Sequence, residues 1–224
     1  MISSKPSQYI KGWVEFYKLK FKITPDVLIP RPESELLVDE VLKYKPHTLI
    51  DIGTGSGNIA ISIAKNSEKI KIIATDISSK ALKVAKQNTK FHKVEKRIKF
   101  IKSNLLRNVR EKPDIIVANL PYIPTSRIPY LDPSVKDFEP KIALDGGKDG
   151  FELYIKLFQQ ISRGVYSPHT RGVMQLIVCE IDYTHGELAL KEAQKYFPKA
   201  QIEVKNDLSH KQRILIIQMA ALPR

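Results

Sequence analysis

Strand-like and helix-like segments alternate along most of this chain, which predicts an α/β fold: a mostly parallel sheet with helices on both faces. Two further observations sharpen that class. A glycine loop, Gly53-Thr54-Gly55-Ser56-Gly57, joins the first strand of the alternation to its first helix, the place where open sheets of this kind bind ligands. The last two strands, 201–205 and 213–218, are separated only by Asn206–Gln212, too short for a helical crossover, so the last strand is expected to run antiparallel.

The elements follow in order. Residues 9–23 (YIKGWVEFYKLKFKI) alternate apolar and polar side chains and read as a β-hairpin turning near Lys18, within an N-terminal extension of residues 1–30. Val27-Leu28-Ile29-Pro30-Arg31-Pro32 is stiffened by its prolines and is expected to be non-helical. A helix starts at Glu33 or Ser34 and runs to about Tyr44, with Leu36, Leu37, Val41 and Leu42 on one side. Strands are expected at 48–52, 70–75, 97–101 and 113–118, and helices at about 57–66, 79–92, 149–163 and 184–197. Val173–Ile181 reads as the fifth strand of the sheet. Residues 121–149 hold Pro121, Pro124, Pro129, Pro133 and Pro140 and show no period. So long an irregular connection inside a compact domain is usually functional, and it reads as a substrate-binding lid. The 224 residues are expected to form one domain.

Composition narrows the classes. A hydrophobic fraction of 42% supports a packed core, and no apolar run approaches the ~18 residues of a membrane span. The N-terminus lacks a signal-peptide pattern, so a cytoplasmic protein is expected. The lone Cys179 sits in an apolar run and reads as core. No Cys/His cluster has metal-ligand spacing, so no metal is expected. The net charge of +13 is uneven: residues 51–112 carry 15 Lys/Arg against 5 Asp/Glu, and residues 113–224 carry 14 against 13. The basic half, residues 65–112, is either a solvated lysine-rich face or a contact for RNA or a ribosome.

The candidate site lies at successive strand ends. The glycine loop alone fits NAD, FAD or S-adenosylmethionine, but its G-x-G-x-G spacing lacks the dinucleotide fingerprint. Asp51 at the first strand end would face a cationic amino-acid group. Asp76, ending the second strand, would accept ribose hydroxyls. Asn104 would accept from an adenine amino group, with Leu105 against the ring. The fourth strand, Asp114–Ala118, leads into Asn119-Leu120-Pro121-Tyr122. There the Asn119 side-chain oxygen and the Leu120 carbonyl can each accept one N–H of a planar amino group, Pro121 stiffens the turn, and Tyr122 can cover the flat face. An amide or exocyclic amine nitrogen held this way is presented to an electrophile by orientation, without a strong base.

Together these residues resemble the HemK/PrmC family, the protein-(glutamine-N5) methyltransferases of peptide chain release factors. The likeness spans nearly the whole chain. It includes Tyr9–Gly12 with Glu15-Phe16-Tyr17, Leu28–Glu35, Asp51–Gly57, Asn119–Pro124, Phe138-Glu139-Pro140, Ala143-Leu144 and Gly147–Gly150, then Glu180 and Asp207-Leu208 ahead of Arg213. It implies a class I S-adenosylmethionine-dependent methyltransferase (Rossmann-like) fold with S-adenosyl-L-methionine as cofactor. It implies a release-factor glutamine as acceptor and catalysis at Asn119–Tyr122. Arg31 is expected to touch substrate, to order the lid or to form a surface salt bridge, Glu139 to clamp the substrate loop or to cap structure, and Glu180 to play a supporting role. Trp13 and the hairpin aromatics read as packing. Three departures stand out: Leu120 replaces the first proline of Asn-Pro-Pro-Tyr, Asn104 replaces an aspartate, and the family's helical N-terminal domain is not represented in these residues. The competing readings are glutamine methylation of a ribosomal protein, methylation of an exocyclic amine of nucleic acid such as adenine N6, and a cofactor-binding scaffold without activity.

Overall fold

The computed structural model describes residues 5–163 and 174–220. Helix α1 (Ser7–Lys11) precedes β1 (Trp13–Phe16) and β2 (Leu19–Lys22), and α2 (Glu35–Lys43) follows a 3-10 turn at Pro32–Ser34. The alternation then runs β3 (Thr48–Ile52), α3 (Asn58–Asn66), β4 (Lys71–Asp76), α4 (Ser79–Phe91), β5 (Ile98–Lys102) and β6 (Ile115–Ala118). Helix α5 (Pro133–Lys136) lies in the long connection. After it come α6 (Glu152–Arg163), β7 (Leu176–Glu180), α7 (Gly186–Tyr196), β8 (Gln201–Asn206) and β9 (Gln212–Gln218).

Seven strands form one sheet in the order β5-β4-β3-β6-β7-β9-β8. The first five are parallel, and β9 pairs antiparallel with both β7 and β8. The expected mixed sheet is therefore present, with β3 and β6 side by side at its centre. Their residues alternate between the two faces, as strand geometry requires. Ile50, Ile52, Ile116 and Ala118 pack with Leu157, Phe158 and Ile161 of α6 and Ala189 of α7. Leu49, Ile115 and Val117 pack with Leu37 and Val41 of α2 and with Ile59 and Ile63 of α3. Each such fully buried aliphatic side chain contributes roughly 1.5–3 kcal/mol, so both sheet faces are strongly held.

Two expectations change. The hairpin is shorter than residues 9–23: Pro6 and Gly12 bound a helical turn, and Tyr9 is buried with its hydroxyl donating to the Val27 carbonyl at 2.6 Å. A stretch of four residues is too short for its alternation to tell strand from helix. The strands themselves turn at Tyr17 and Lys18, both with positive φ, close to the expected place. Residues 121–149 are not irregular throughout. They hold 3-10 turns at Thr125–Tyr130 and Lys141–Ala143 as well as α5, each beginning just after or at a proline. Val173, expected to open the fifth strand of the sheet, lies outside the described residues.

Phe16 and Phe21 of the hairpin are fully buried against each other, and Phe21 also meets His92 beyond α4. Trp13 instead stays on the surface beneath the Lys20 ammonium, 4.2 Å from the ring centre. The hairpin thereby ties the N-terminal segment to the sheet and brings residues 26–31 over the carboxyl ends of the strands.

Candidate active site

A cavity of about 500 Å³ opens at the carboxyl ends of β3, β4, β5 and β6. Gly53, Thr54, Gly55 and Ser56 line its floor. Asp76, Asn104 and Leu105 line one side, and Asn119, Leu120 and Pro121 line another. Arg31, Ile142 and Asp145 reach it from the N-terminal strap and the lid. The sequence-predicted strand ends therefore do converge on one space.

The floor is built by parallel pairing. The N–H groups of Gly53 and Thr54 both donate to the Thr75 carbonyl, each at 2.9 Å, which folds the loop back over β4. Gly53 has φ +74, and a β-carbon there would come within 3.2 Å of Leu120 and 3.3 Å of the Asn119 carbonyl oxygen. Only glycine fits that conformation and that approach together. Gly55 has φ +54, and a β-carbon there would meet only the Gly53 carbonyl oxygen, at an ordinary contact distance of 3.9 Å. Its N–H donates to Asp76 Oδ2 at 2.9 Å, and the Ser78 N–H donates to Asp76 Oδ1 at 2.8 Å. Burial raises the Asp76 carboxyl against these backbone bonds.

The other wall rests on Glu180, whose carboxylate ends β7 and is 1% exposed. Glu180 Oε2 accepts from the Ser34 hydroxyl at 2.6 Å and from Asn119 Nδ2 at 2.9 Å. Glu180 Oε1 accepts from the Tyr122 hydroxyl at 3.0 Å. Asn119 Nδ2 also donates to Ser34 Oγ at 2.9 Å. The Asn119 amide nitrogen is thus held on the protein side by two adjacent oxygens, so its Oδ1 is the atom left to accept. Burial pushes the Glu180 carboxyl up, and the Ser34 and Tyr122 hydroxyls and Arg213 oppose that rise.

Leu120 carries an N–H that a proline would lack. It donates to the Tyr154 hydroxyl oxygen at 3.0 Å. Tyr154, fully buried in α6, gives its own proton to the Glu180 backbone carbonyl, with the Leu120 carbonyl oxygen 3.3 Å away. The extra donor at this turn is therefore satisfied inside the core.

Four predicted residues do not face the cavity. Asp51 is completely buried, because it alternates with Ile50 and Ile52 and so points toward α3 on the opposite sheet face. Its Oδ2 accepts from Thr54 Oγ1 at 2.6 Å, while Oδ1 has no partner. Gly57 opens α3 with φ +82, set against Ile61 and Ala85. Tyr122 stands behind Asn119 with its hydroxyl on Glu180. Glu139 is 5% exposed and belongs to a latch: Oε1 accepts from Arg31 Nη2, and Oε2 from the Ile29 N–H at 3.1 Å. It joins the lid to the strap and does not reach into the space between them. Ser34 and Tyr154 are supporting residues that sequence reasoning passed over. Ser34 sat within a quoted segment, but nothing in the chain marked its contact with a residue 146 positions away.

Comparison with known proteins gives consistent relatives. A family model described as "Methyltransferase small domain" matches residues 32–128. The release factor glutamine methyltransferase of Lactococcus lactis is 36% identical over 218 residues, covering 96% of this chain and 78% of that protein. The protein of the same name from Bacillus cereus is 35% identical over 225 residues, covering 96% and 76%. Among solved structures, the ribosomal protein L11 methylase of Lactobacillus delbrueckii superposes with a TM-score of 0.62 at 22% identity, covering 88% of this chain and 84% of that one. The hMettl16 catalytic domain gives 0.67 at 15% identity, covering 92% and 77%. These last two likenesses bear on fold alone.

Asp51 makes stability depend on pH. Burial, the largest cause, outweighs the Thr54 bond and pushes its carboxyl from 3.8 up to about 7. An acid whose folded value is raised favours the folded state while protonated, and loses that contribution as pH rises from about 4 to about 7. Denaturant unfolding of the parent should weaken across this window relative to Asp51→Asn, by on the order of 4 kcal/mol at the upper end. Parallel pH profiles for the two proteins would contradict the assignment.

Proposed function

The chain belongs to the family of release factor glutamine methyltransferases, and on that premise we propose that it methylates the side-chain amide nitrogen (N5) of the Gly-Gly-Gln glutamine in a peptide chain release factor. The methyl donor is S-adenosyl-L-methionine. The observation that carries the reading is the fixed orientation of Asn119, whose amide nitrogen is held by Ser34 and Glu180.

The cavity suits the cofactor. Its volume of about 500 Å³ lies in the range of small-molecule sites. Each Asp76 oxygen accepts one backbone N–H and keeps a lone pair for a ribose hydroxyl. Gly55 leaves the floor bare, while Asn104 and Leu105 offer an acceptor and an apolar face to a purine. Asp51 acts beneath the loop, holding Thr54. When bound, the cofactor supplies a methyl group on a sulfonium, already activated for transfer.

The protein's task is to aim the acceptor. A primary amide nitrogen is a poor nucleophile because its lone pair is delocalised. Asn119 Oδ1 accepts a hydrogen bond from one of its N–H groups, and the Leu120 carbonyl, which has a second lone pair beyond the one facing Tyr154, accepts from the other; the methylated nitrogen keeps one of these protons and releases the other to solvent. With both protons held, the nitrogen lone pair is directed toward the floor that Gly53 shares with Asn119. Positioning of this kind contributes roughly 7–11 kcal/mol. Pro121 narrows the conformations of Leu120, and Tyr122 braces Glu180. The lid, residues 121–149, and the strap form the rest of the mouth, with Arg31 latched on Glu139.

The reading places the protein in translation termination in the cytoplasm; no helix among the described residues is long and apolar enough to cross a membrane. The basic half supports a separate contact. Lys83, Lys86, Lys90 and Lys102 line a second groove of about 500 Å³, and none has a carboxylate partner among the described residues. Helix α4 has no acidic residue in its first turn, where a positive charge opposes the helix dipole. This groove suits a phosphate backbone, such as that of ribosomal RNA.

Labelled S-adenosyl-L-methionine should mark a release factor, and the mark should vanish when the glutamine of its Gly-Gly-Gln is substituted. Asn119→Ala should lose turnover while still binding cofactor; near-normal turnover would sink the mechanism. Glu180→Gln leaves one oxygen for three donors and frees the Asn119 amide to rotate, so kcat should fall about 10²-fold with little change in cofactor affinity. For the groove, Lys83→Glu with Lys86→Glu should weaken binding of single-stranded RNA and flatten its salt dependence by about two contacts. RNA binding that is absent from the parent, or unchanged in that variant, would exclude it.

A further inference from the structure

The β8–β9 loop, residues 206–212, is built like a rigid part, yet the cavity makes no use of it. Asp207 Oδ1 accepts from the Ser209 and Lys211 N–H groups at 2.9 and 3.0 Å. Asp207 Oδ2 accepts from Arg213 Nε and Nη2, both at 3.1 Å. The Asp207 N–H closes the loop on the Lys211 carbonyl at 2.8 Å. At the tip of this cross-braced turn stands Leu208, 95% exposed. A single exposed leucine is ordinary. An exposed leucine on a fully satisfied loop is different, since its conformational entropy has already been removed, as at preorganised binding surfaces.

Two other segments meet this loop. Lys211 Nζ lies 5.2 Å from the centre of the Tyr183 ring, and the Arg127 guanidinium lies 6.0 Å from it. Tyr183 follows β7 and is 45% exposed. Arg127 comes from the lid and is fixed on the buried Asp182 at 3.1 Å. Lys211 has no carboxylate partner among the described residues. The patch thus offers an aromatic face and an aliphatic tip beside Lys211, which lacks a carboxylate partner among the described residues, and Arg127, which is paired with Asp182.

It is also continuous with the acceptor end of the active site. Glu180 pairs with Ile214 across the antiparallel strands, and the Ile181 N–H donates to the Arg213 carbonyl at 2.9 Å. Arg213, which braces Asp207, therefore sits one residue from the partner of the carboxylate that holds Asn119.

We propose that Leu208, Tyr183, Lys211 and Arg127 form the docking surface for the protein that carries the target glutamine, receiving an apolar side chain with a carboxylate beside it. This rests on the function proposed above. A phosphate backbone is a poorer occupant, because the most exposed group here is a leucine. Tyr183 and Arg127 are of the residue types that carry most of the binding energy at protein–protein interfaces, and Leu208 adds apolar area beside them.

The test is steady-state kinetics with full-length release factor and with a short Gly-Gly-Gln peptide. Leu208→Ala and Lys211→Glu should each raise KM for the release factor about tenfold, with kcat and cofactor affinity held. Methylation of the peptide should be the same in all three proteins. An unchanged KM in both variants overturns the docking surface alone. A matching loss on the peptide overturns it too, since the damage would then lie in the reacting site. Loss of RNA binding, or of self-association, with KM unchanged would reassign the patch and overturn this proposal. A parent that leaves the release factor unlabelled overturns the function itself, and the docking with it.

Discussion

One buried carboxylate organises the acceptor half of this molecule. Glu180 gathers Ser34 from the turn before α2, Asn119 from the end of β6 and Tyr122 from the start of the lid. A carboxylate removed from water is costly unless its oxygens are filled. Here that demand fixes the direction of three side chains at once, and the Asn119 Oδ1 is left free to accept as a consequence. The same residue's backbone carbonyl takes the Tyr154 proton, whose oxygen in turn receives the Leu120 N–H. The active turn is therefore held from behind by both the side chain and the main chain of one residue.

The donor half follows a different logic. Its glycine loop is held by main-chain bonds to Thr75 and by the Asp76 carboxylate. Because β3 and β6 are adjacent and parallel, the two halves end at the same height and share a wall.

Much of this arrangement was readable in the sequence. The strand ends at Asp76, Asn104 and Asn119 lie where periodicity and the glycine loop placed them, since a buried parallel sheet leaves strong local signals. What could not be read was which way each side chain turns. Asp51 sits at a strand end, but the two-residue alternation of β3 sends it beneath the loop. Glu139 reads equally as a clamp on the substrate loop or as a structural cap, and its contact is the Arg31 guanidinium. Ser34 and Tyr154 act through contacts 146 and 34 residues away, and no local pattern encodes such pairings. The 3-10 turns of the lid were hidden by proline spacing that carries no period.

The contact between Gly53 and the turn at Asn119-Leu120 has a consequence for how this chain can diverge. The space a β-carbon would need at residue 53 is already taken by the Leu120 side chain and the Asn119 carbonyl. Residues 53 and 120 are thus packed against each other although they are far apart in the chain. A side chain added at residue 53 would press on the turn that carries Asn119, so the bare floor and the position of that turn are set together.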